Sequence, residues 1–250
     1  MTEQGFMEDR IHSFDNGVKV YERHLIDIQK KRYSDHNVHE AEEEELFIGL
    51  INRIGQRAVF VNVGAAIGYY AILAKKIYPS LEVYAFEPLK LHRKYFKENI
   101  KLNGFSINDF SIYKEGLFTK KGYAEFMKNN YGSSIKSFYM DNGVLNRVKK
   151  FIGMMRNEVI KTITLDQIIK KIGQRIDLLQ MDIQGREDIV LEHSMDTLKQ
   201  NMIKYLLIGT HSHEIHNNCI NLLELCGYSI LFENHETKLQ PDGILCCQKI

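Results

Sequence analysis

The stretch Val59-Phe60-Val61-Asn62-Val63-Gly64-Ala65-Ala66-Ile67-Gly68-Tyr69-Tyr70 restricts the fold more than any other part of the chain. Five of the six residues from Ala58 to Val63 are apolar and three are valine, the composition of a parallel strand buried on both faces. Gly64 supplies the sharp turn that follows and leaves room for a ligand against the backbone. From Ile67 the positions Ile67, Tyr70, Ala71, Ala74 and Ile77 recur with helical period. Strand, glycine turn and helix make the opening unit of a doubly wound nucleotide-binding sheet.

A second signal stands where that unit needs it. Leu81 to Pro88 reads as another short apolar strand ending in Glu87, 23 residues after Gly64. A carboxylate at that strand tip can accept hydrogen bonds from both ribose hydroxyls of an adenosine. Pro88 ends the strand and opens a helix. The turn does not follow Gly-x-Gly-x-x-Gly: Ala66 holds the second glycine position and Tyr69 the third. Tyr69 would crowd the helix against the strand, so a dinucleotide is disfavoured. A cofactor without a phosphate tolerates the looser turn.

The segments VNVGAAIGYYAILAKK, VYAFEP, ENIKLNG, ITLDQII and DLLQMDIQGREDIV follow in that order between about Glu40 and Leu231. Together they resemble the FkbM family of S-adenosylmethionine-dependent methyltransferases. The resemblance implies an α/β class: a doubly wound, Rossmann-like class I methyltransferase sheet, mostly parallel, with a C-terminal antiparallel strand. It implies S-adenosyl-L-methionine as cofactor, met by Asn62, Gly64, Ala65, Ala66, Gly68, Tyr69, Glu87, Glu115 and Asp182. Two positions depart from the family pattern. Asn62 stands where the first strand usually has an aspartate. Gln184 replaces a glutamate in Asp-x-Glu-Gly-x-Glu, whereas Asp182, Gly185 and Glu187 match. If that glutamate is the family's base, its duty here passes to His211 or Asp182.

The chain reads as one domain over residues 1–250 in four stretches. Residues 1–39 form an N-terminal cap with a hairpin turn at Asp15-Asn16-Gly17. Residues 40–118 form the cofactor half, opening with a glutamate-rich helix to Ile54 whose acids read as a solvated face. His39 or Glu40 reaching the methionine end of the cofactor is the functional alternative. A helix from Leu89 to Leu102 and a third strand at Ser111–Glu115 follow. Residues 119–160 read as an inserted lid, with Tyr131, Ser133 and Ser134 facing the acceptor and an amphipathic stretch from Phe138 to Met155. Residues 161–250 complete the sheet: Thr164 or Asp166 caps a helix, Ile176–Met181 delivers Asp182, and Tyr205–Gly209 delivers Thr210 to His213. A helix from Ile215 to Cys226 and an antiparallel pair, Tyr228–Phe232 with Gly243–Ile250, end the chain.

Ligands of such sheets bind at the carboxyl ends of the strands, the edge that carries Gly64, Glu87, Asp182 and His211. If the acceptor is an alcohol, its proton must leave, so a base is needed. His211, His213 and Asp182 are the catalytic candidates. Asp182, His211 and His213 could hold a divalent ion, but their spacing is not a recognised ligand set and no metal is expected. His216 is expected to pack or face water.

Composition narrows the partners. The net charge of +1 gives no case for sequence-independent binding to a polyanion. Met181-Asp182-Ile183-Gln184 lacks the Pro-Pro-aromatic loop of base amino-methylation, and no nucleic-acid partner is expected. No apolar run reaches membrane-span length, the first 30 residues lack a signal h-region, and the four cysteines lack metal spacing, so a cytoplasmic protein with free thiols is expected. The reading is O-methylation of a sugar or nucleotide-activated sugar for surface polysaccharide or natural-product synthesis. Lys136, Arg147, Lys149 and Lys150 could meet its phosphates. A homodimer stays open. The alternatives are a nucleic-acid methyltransferase and an inactive cofactor-binding module.

Overall fold

The computed structural model describes residues 9–126, 135–139, 158–238 and 242–250. In chain order come β1 (Ile11–Ser13), β2 (Lys19–Tyr21), α1 (Asp27–Asp35), α2 (Ala41–Ile54), β3 (Val59–Val63), α3 (Tyr69–Ile77), β4 (Glu82–Phe86) and α4 (Lys90–Leu102). Then follow β5 (Phe110–Tyr113), β6 (Glu115–Leu117), β7 (Gly122–Phe126), β8 (Ile135–Tyr139) and β9 (Glu158–Ile163). The last third contains α5 (Leu165–Ile172), β10 (Ile176–Met181), α6 (Glu187–His193), α7 (Met195–Lys199), β11 (Ile203–Thr210), α8 (His213–Leu225), β12 (Tyr228–Asn234) and β13 (Gly243–Lys249).

The main sheet has the order β12-β13-β11-β10-β3-β4-β5. Neighbours from β11 to β5 are parallel, and β13 runs antiparallel to both β11 and β12. This is the α/β class expected from the sequence. The order reverses between β3 and β10, which places the ligand crevice of a doubly wound sheet beyond their carboxyl ends. Strand alternation divides the core between the two faces. Phe60 joins α2, α3 and the cap in one apolar cluster. Val59, Val61 and Val63 join α5, α6 and α8 in the other.

The N-terminal hairpin forms as its Asn-Gly turn predicts, with Ile11 opposite Tyr21. The helix α1, which the sequence reading did not anticipate, follows it, and Phe14, Val18, Val20, Leu25 and Tyr33 bury in the α3 side of the core. The third strand divides at Lys114. β5 stays in the main sheet, and β6 starts a second sheet of order β6-β9-β7-β8. The expected lid is thus in part this sheet. Tyr131, Ser133, Ser134, Arg147, Lys149 and Lys150 lie outside the described residues, as does most of the amphipathic stretch. Lys136 falls on β8. No helix among the described residues is long and apolar enough to cross a membrane.

The helix α5 shows how local chemistry sets an element against the core. Thr164 Oγ1 accepts from Gln167 N at 3.3 Å, and Gln167 Oε1 accepts from Thr164 N at 3.3 Å, closing a capping box. Gly173 ends the helix in the left-handed region at φ 74°. Leu165, Ile168, Ile169 and Ile172 then face the sheet. Thr164→Ala is expected to lower unfolding free energy by about 1 kcal/mol, read as a shifted urea midpoint at unchanged slope.

Candidate active site

A cleft of about 820 Å³ opens beyond the carboxyl ends of β3, β4 and β10. Its size is that of a site for a small molecule. Asn62, Gly64, Ala65, Ala66, Tyr69, Glu87 and Asp182 line it, so three segments distant in sequence meet here. The cap supplies a further wall through Ile26, Gln29, Arg32 and His36.

The turn after β3 is fixed from both sides. Gly64 has φ 82°, and a Cβ there would lie 1.8 Å from the carbonyl oxygen of Asp182. The glycine is needed for this backbone approach between the β3 and β10 ends, beyond the ligand space anticipated from sequence. Gly64 N and Ala65 N donate to Phe86 O at 2.9 and 3.2 Å, and Gly68 N donates to Ala65 O at 2.7 Å. Ala66 N donates to Glu87 Oε2 at 2.8 Å. These amides are therefore committed, which suits a ligand without a phosphate better than a dinucleotide.

Glu87 is 4 % exposed. Its Oε1 accepts from Leu89 N at 2.8 Å, and His92 Nδ1 lies 3.5 Å from the same oxygen. Each carboxylate oxygen keeps further lone-pair capacity for a ligand hydroxyl. Opposite Asn62 in the ladder stands Gln180. Asn62 Nδ2 donates to Gln180 Oε1, and Gln180 Nε2 donates to Glu43 Oε1 at 3.0 Å. Asn62 Oδ1 is buried without a partner. A buried acceptor left open at the floor of a cleft fits a donor brought by a ligand, such as an ammonium.

Acids dominate the other half. Asp182 accepts from Gln184 Nε2 at 2.8 Å. His211 Nε2 lies 3.4 Å from Asp182 Oδ1 and 3.4 Å from Asp242 Oδ1, and its Nδ1 lies 3.0 Å from Glu187 Oε1. The ring is close enough for ion pairing, although neither nitrogen has the alignment of a hydrogen bond. Glu187 is fully buried, and its Oε1 accepts from Ile183 N at 3.3 Å and Gly185 N at 3.1 Å. It folds the loop and presents the same carboxylate to His211. Burial alone would lower the His211 pKa, but Glu187, Asp182 and Asp242 reverse this and raise it to about 9. Burial raises Asp182 to about 6 against the pull of His211, and burial with Asp182 nearby raises Asp242 to about 7. Burial, with Glu40 and Asp182 close by, holds Glu43 well above the usual carboxylate range.

His211 is thus brought to the site but corrected in state. It is an imidazolium at neutral pH, and Asp182 and Asp242 are the groups that line the cleft. His213 is a second correction. It is exposed as the first residue of α8, where Ser212 caps the helix, and it packs on His235. Asp182, Glu187 and His211 have ligand atoms within 4.8 Å of one another, and His213 is not among them. Glu115 is a third correction: it lies 3.6 Å from Lys171, and its neighbour Gly116 lines the cleft. A fourth is Gly68. A Cβ there would lie 1.9 Å from the Phe96 ring, so this glycine serves helix packing and does not line the cleft. Tyr69 lines it, but its hydroxyl is tied to Glu44 at 2.5 Å and to Asn16 at 2.7 Å. His216 is buried against Thr210, within the packing expectation.

The glutamate run is not a solvated face. Glu43 and Glu44 are 2 and 5 % exposed. Glu40, which accepts from Tyr70 Oη at 3.2 Å, lines the cleft with His39. Burial lowers the His39 pKa to about 3, with Arg32 acting in the same direction. Sequence reasoning missed Glu43, Gln180 and Asp242. The first was readable: Glu40, Glu43 and Glu44 continue the three-and-four spacing of Phe47, Leu50 and Ile51.

Comparison with known proteins bears on this geometry. The description of the methyltransferase FkbM domain matches residues 62–230. The AMB antimetabolite synthetase AmbE of Pseudomonas aeruginosa is 26 % identical over 179 residues, which is 62 % of this chain and 8 % of AmbE, so the chain spans under a tenth of that relative's length. A S-adenosylmethionine-dependent O-methyltransferase from Thermotoga maritima shares the fold, with a TM-score of 0.51 at 10 % identity over 97 % of this chain and 78 % of that one. An rRNA methylase from Streptococcus thermophilus has a TM-score of 0.49 at 8 % identity over 82 % and 95 %.

Proposed function

The chain belongs to the FkbM family of methyltransferases, which use S-adenosylmethionine, and on that premise we propose that it methylates a hydroxyl of a small polar acceptor, a sugar or a nucleotide-activated sugar. The observation that carries this reading is the pair of cleft carboxylates with raised pKa, Asp182 near 6 and Asp242 near 7. A group ionising near the working pH is the most effective proton acceptor for an alcohol. A wall of carboxylates and amides, Glu40, Gln180, Gln184 and Asp242, also suits an acceptor rich in hydroxyl donors.

Bound S-adenosylmethionine supplies a methyl group on a sulfonium, already strongly electrophilic. The chain's part is to orient, to exclude water and to receive a proton. Glu87 would take the ribose hydroxyls, and Asn62 Oδ1 the ammonium. Asp182 would receive the acceptor's proton. His211 stands behind Asp182 and Asp242 as their counter-charge and acts as a positioning residue. Lys31 and Lys238 also line the cleft and would meet phosphates of an activated sugar.

Calorimetry with S-adenosylmethionine, beside NADH, is the first test. The native chain should bind S-adenosylmethionine and not NADH, and Glu87→Ala should weaken the binding at least ~10-fold, or ~1.4 kcal/mol. Part of the loss will be stability, because Ala66 N and Leu89 N lose their acceptor, at about 1–3 kcal/mol each. A nucleotide-sugar screen with labelled cofactor then reads methyl transfer. Transfer to nitrogen-only acceptors would sink the hydroxyl reading while leaving the family intact.

A further inference from the structure

Outside the cleft, the first turn of α8 and the end of β12 bring three histidines and two glutamates together. His213 and His216 are three apart on α8 and share a helix face. Glu233 and His235 are two apart, at and just beyond the end of β12. One nitrogen each of His216 and His235 and one carboxylate oxygen of Glu233 lie within 4.8 Å of one another. His213, His235 and Glu236 meet the same limit. The His213 and His235 rings stand edge to face with centroids 3.7 Å apart, and His216 and His235 are 5.6 Å apart.

The cluster is built. His216 is 1 % exposed and Thr210 is 2 % exposed. Thr210 Oγ1 lies 2.8 Å from His216 Nδ1, and Glu233 Oε2 lies 3.1 Å from His216 Nε2. A metal-ligating imidazole takes such a partner on its second nitrogen, which fixes tautomer and ring plane. An ordinary His216–Glu233 ion pair accounts for those two side chains alone. It gives no reason for a His235 nitrogen to join them at coordination distance, or for the His213 ring to close on His235.

We propose that His216, Glu233 and His235 bind one divalent transition metal of the zinc type, with water completing the shell. Imidazole nitrogens with a carboxylate oxygen favour zinc and its neighbours over magnesium or calcium. The ion would act as a clamp. A Cβ at Gly243 would lie 2.6 Å from Thr210 Oγ1 and 3.1 Å from His235 Cα, so the start of β13 packs directly on the cluster. Thr237 Oγ1 donates to Asp242 O at 3.0 Å, and Lys238 and Asp242 line the cleft. Tying His235 to α8 would therefore hold Thr237 and Lys238, which follow it directly in the chain.

The test uses the full chain free of any polyhistidine tag, stripped with a chelator and titrated with Zn²⁺, and separately with Co²⁺. One equivalent of Zn²⁺ should bind and raise Tm by several degrees, and Co²⁺ should develop visible absorption. His235→Ala and Glu233→Gln should each weaken Zn²⁺ binding at least ~10-fold. His193→Ala, on the exposed surface of α6, should leave it unchanged. The proposal is overturned if no Zn²⁺ binds below about millimolar concentration. It is equally overturned if His235→Ala and Glu233→Gln bind as the native chain does, or if the equivalent disappears in Asp182→Asn instead.

Discussion

The Asp182→Asn variant is expected to transfer methyl groups about 10²–10⁴-fold more slowly than the native chain, with cofactor affinity changed by no more than about threefold. The amide keeps the shape and the contact with Gln184 but cannot take a proton. A matching loss of cofactor affinity would instead make Asp182 an anchor for the cofactor's ammonium. The pH profile gives a second reading of the same cluster. Activity of the native chain should rise as the cleft acids ionise, between about 6 and 7, and fall as His211 loses its proton near 9. The limbs belong to the cluster as a coupled set. His211→Gln should remove the alkaline limb and keep the acid one.

The same shifts act on stability, with a definite sign. His211 is raised from 6.5 to about 9, so below pH 6.5 its interactions stabilise the fold fully, and that contribution is lost as pH rises toward 9. His39 works in the opposite direction. It is lowered from 6.5 to about 3, so acidification from pH 6.5 toward 3 destabilises the chain. Tm should therefore decline from pH 6.5 to 9, and His211→Gln should flatten that decline. A native chain whose Tm rises over that interval would contradict the protonated His211.

Gly64→Ala should cost at least about 3 kcal/mol of stability and remove cofactor binding. The Cβ would meet a backbone carbonyl, which cannot rotate away as a side chain can, at a residue already in the left-handed region. Gly104→Ala is the control, since Gly104 has φ 80° with nothing within 4 Å of the added carbon. It should lose only the ~1–2 kcal/mol of the backbone conformation. Urea unfolding of both variants separates the two terms; equal losses would mean that β3 and β10 tolerate separation at Gly64.

The parts of the site legible in sequence were those where one residue suffices to signal its place. Burial on both faces turns β3 into an unbroken apolar run, and Gly64, Glu87 and Asp182 each mark a strand end. His213 and Glu115 were misread for the same physical reason: a boundary shifted by one or two residues reverses a side chain's direction. Ser212 caps α8 and His213 is its first residue, and the break at Lys114 starts β6 at Glu115. Gln180 and Glu43 were hidden differently. A carboxylate or amide reads as solvated unless its buried partner is known, and their mutual partner lies 137 residues away. Asp242 belongs to no periodic segment, so no pattern announced it.

The position of β13 also sets an order on the making of the molecule. It follows β12 in sequence, yet it lies between β12 and β11. Before it docks, β11 has an open edge, β12 has no strand to join, and Asp242 is absent from the acid cluster. About 180 residues separate Asn62 from Asp242, roughly 10–40 s of translation. Throughout that interval a nascent chain carries the glycine turn after β3 without the carboxylate that Asp242 later sets beside Asp182 and His211.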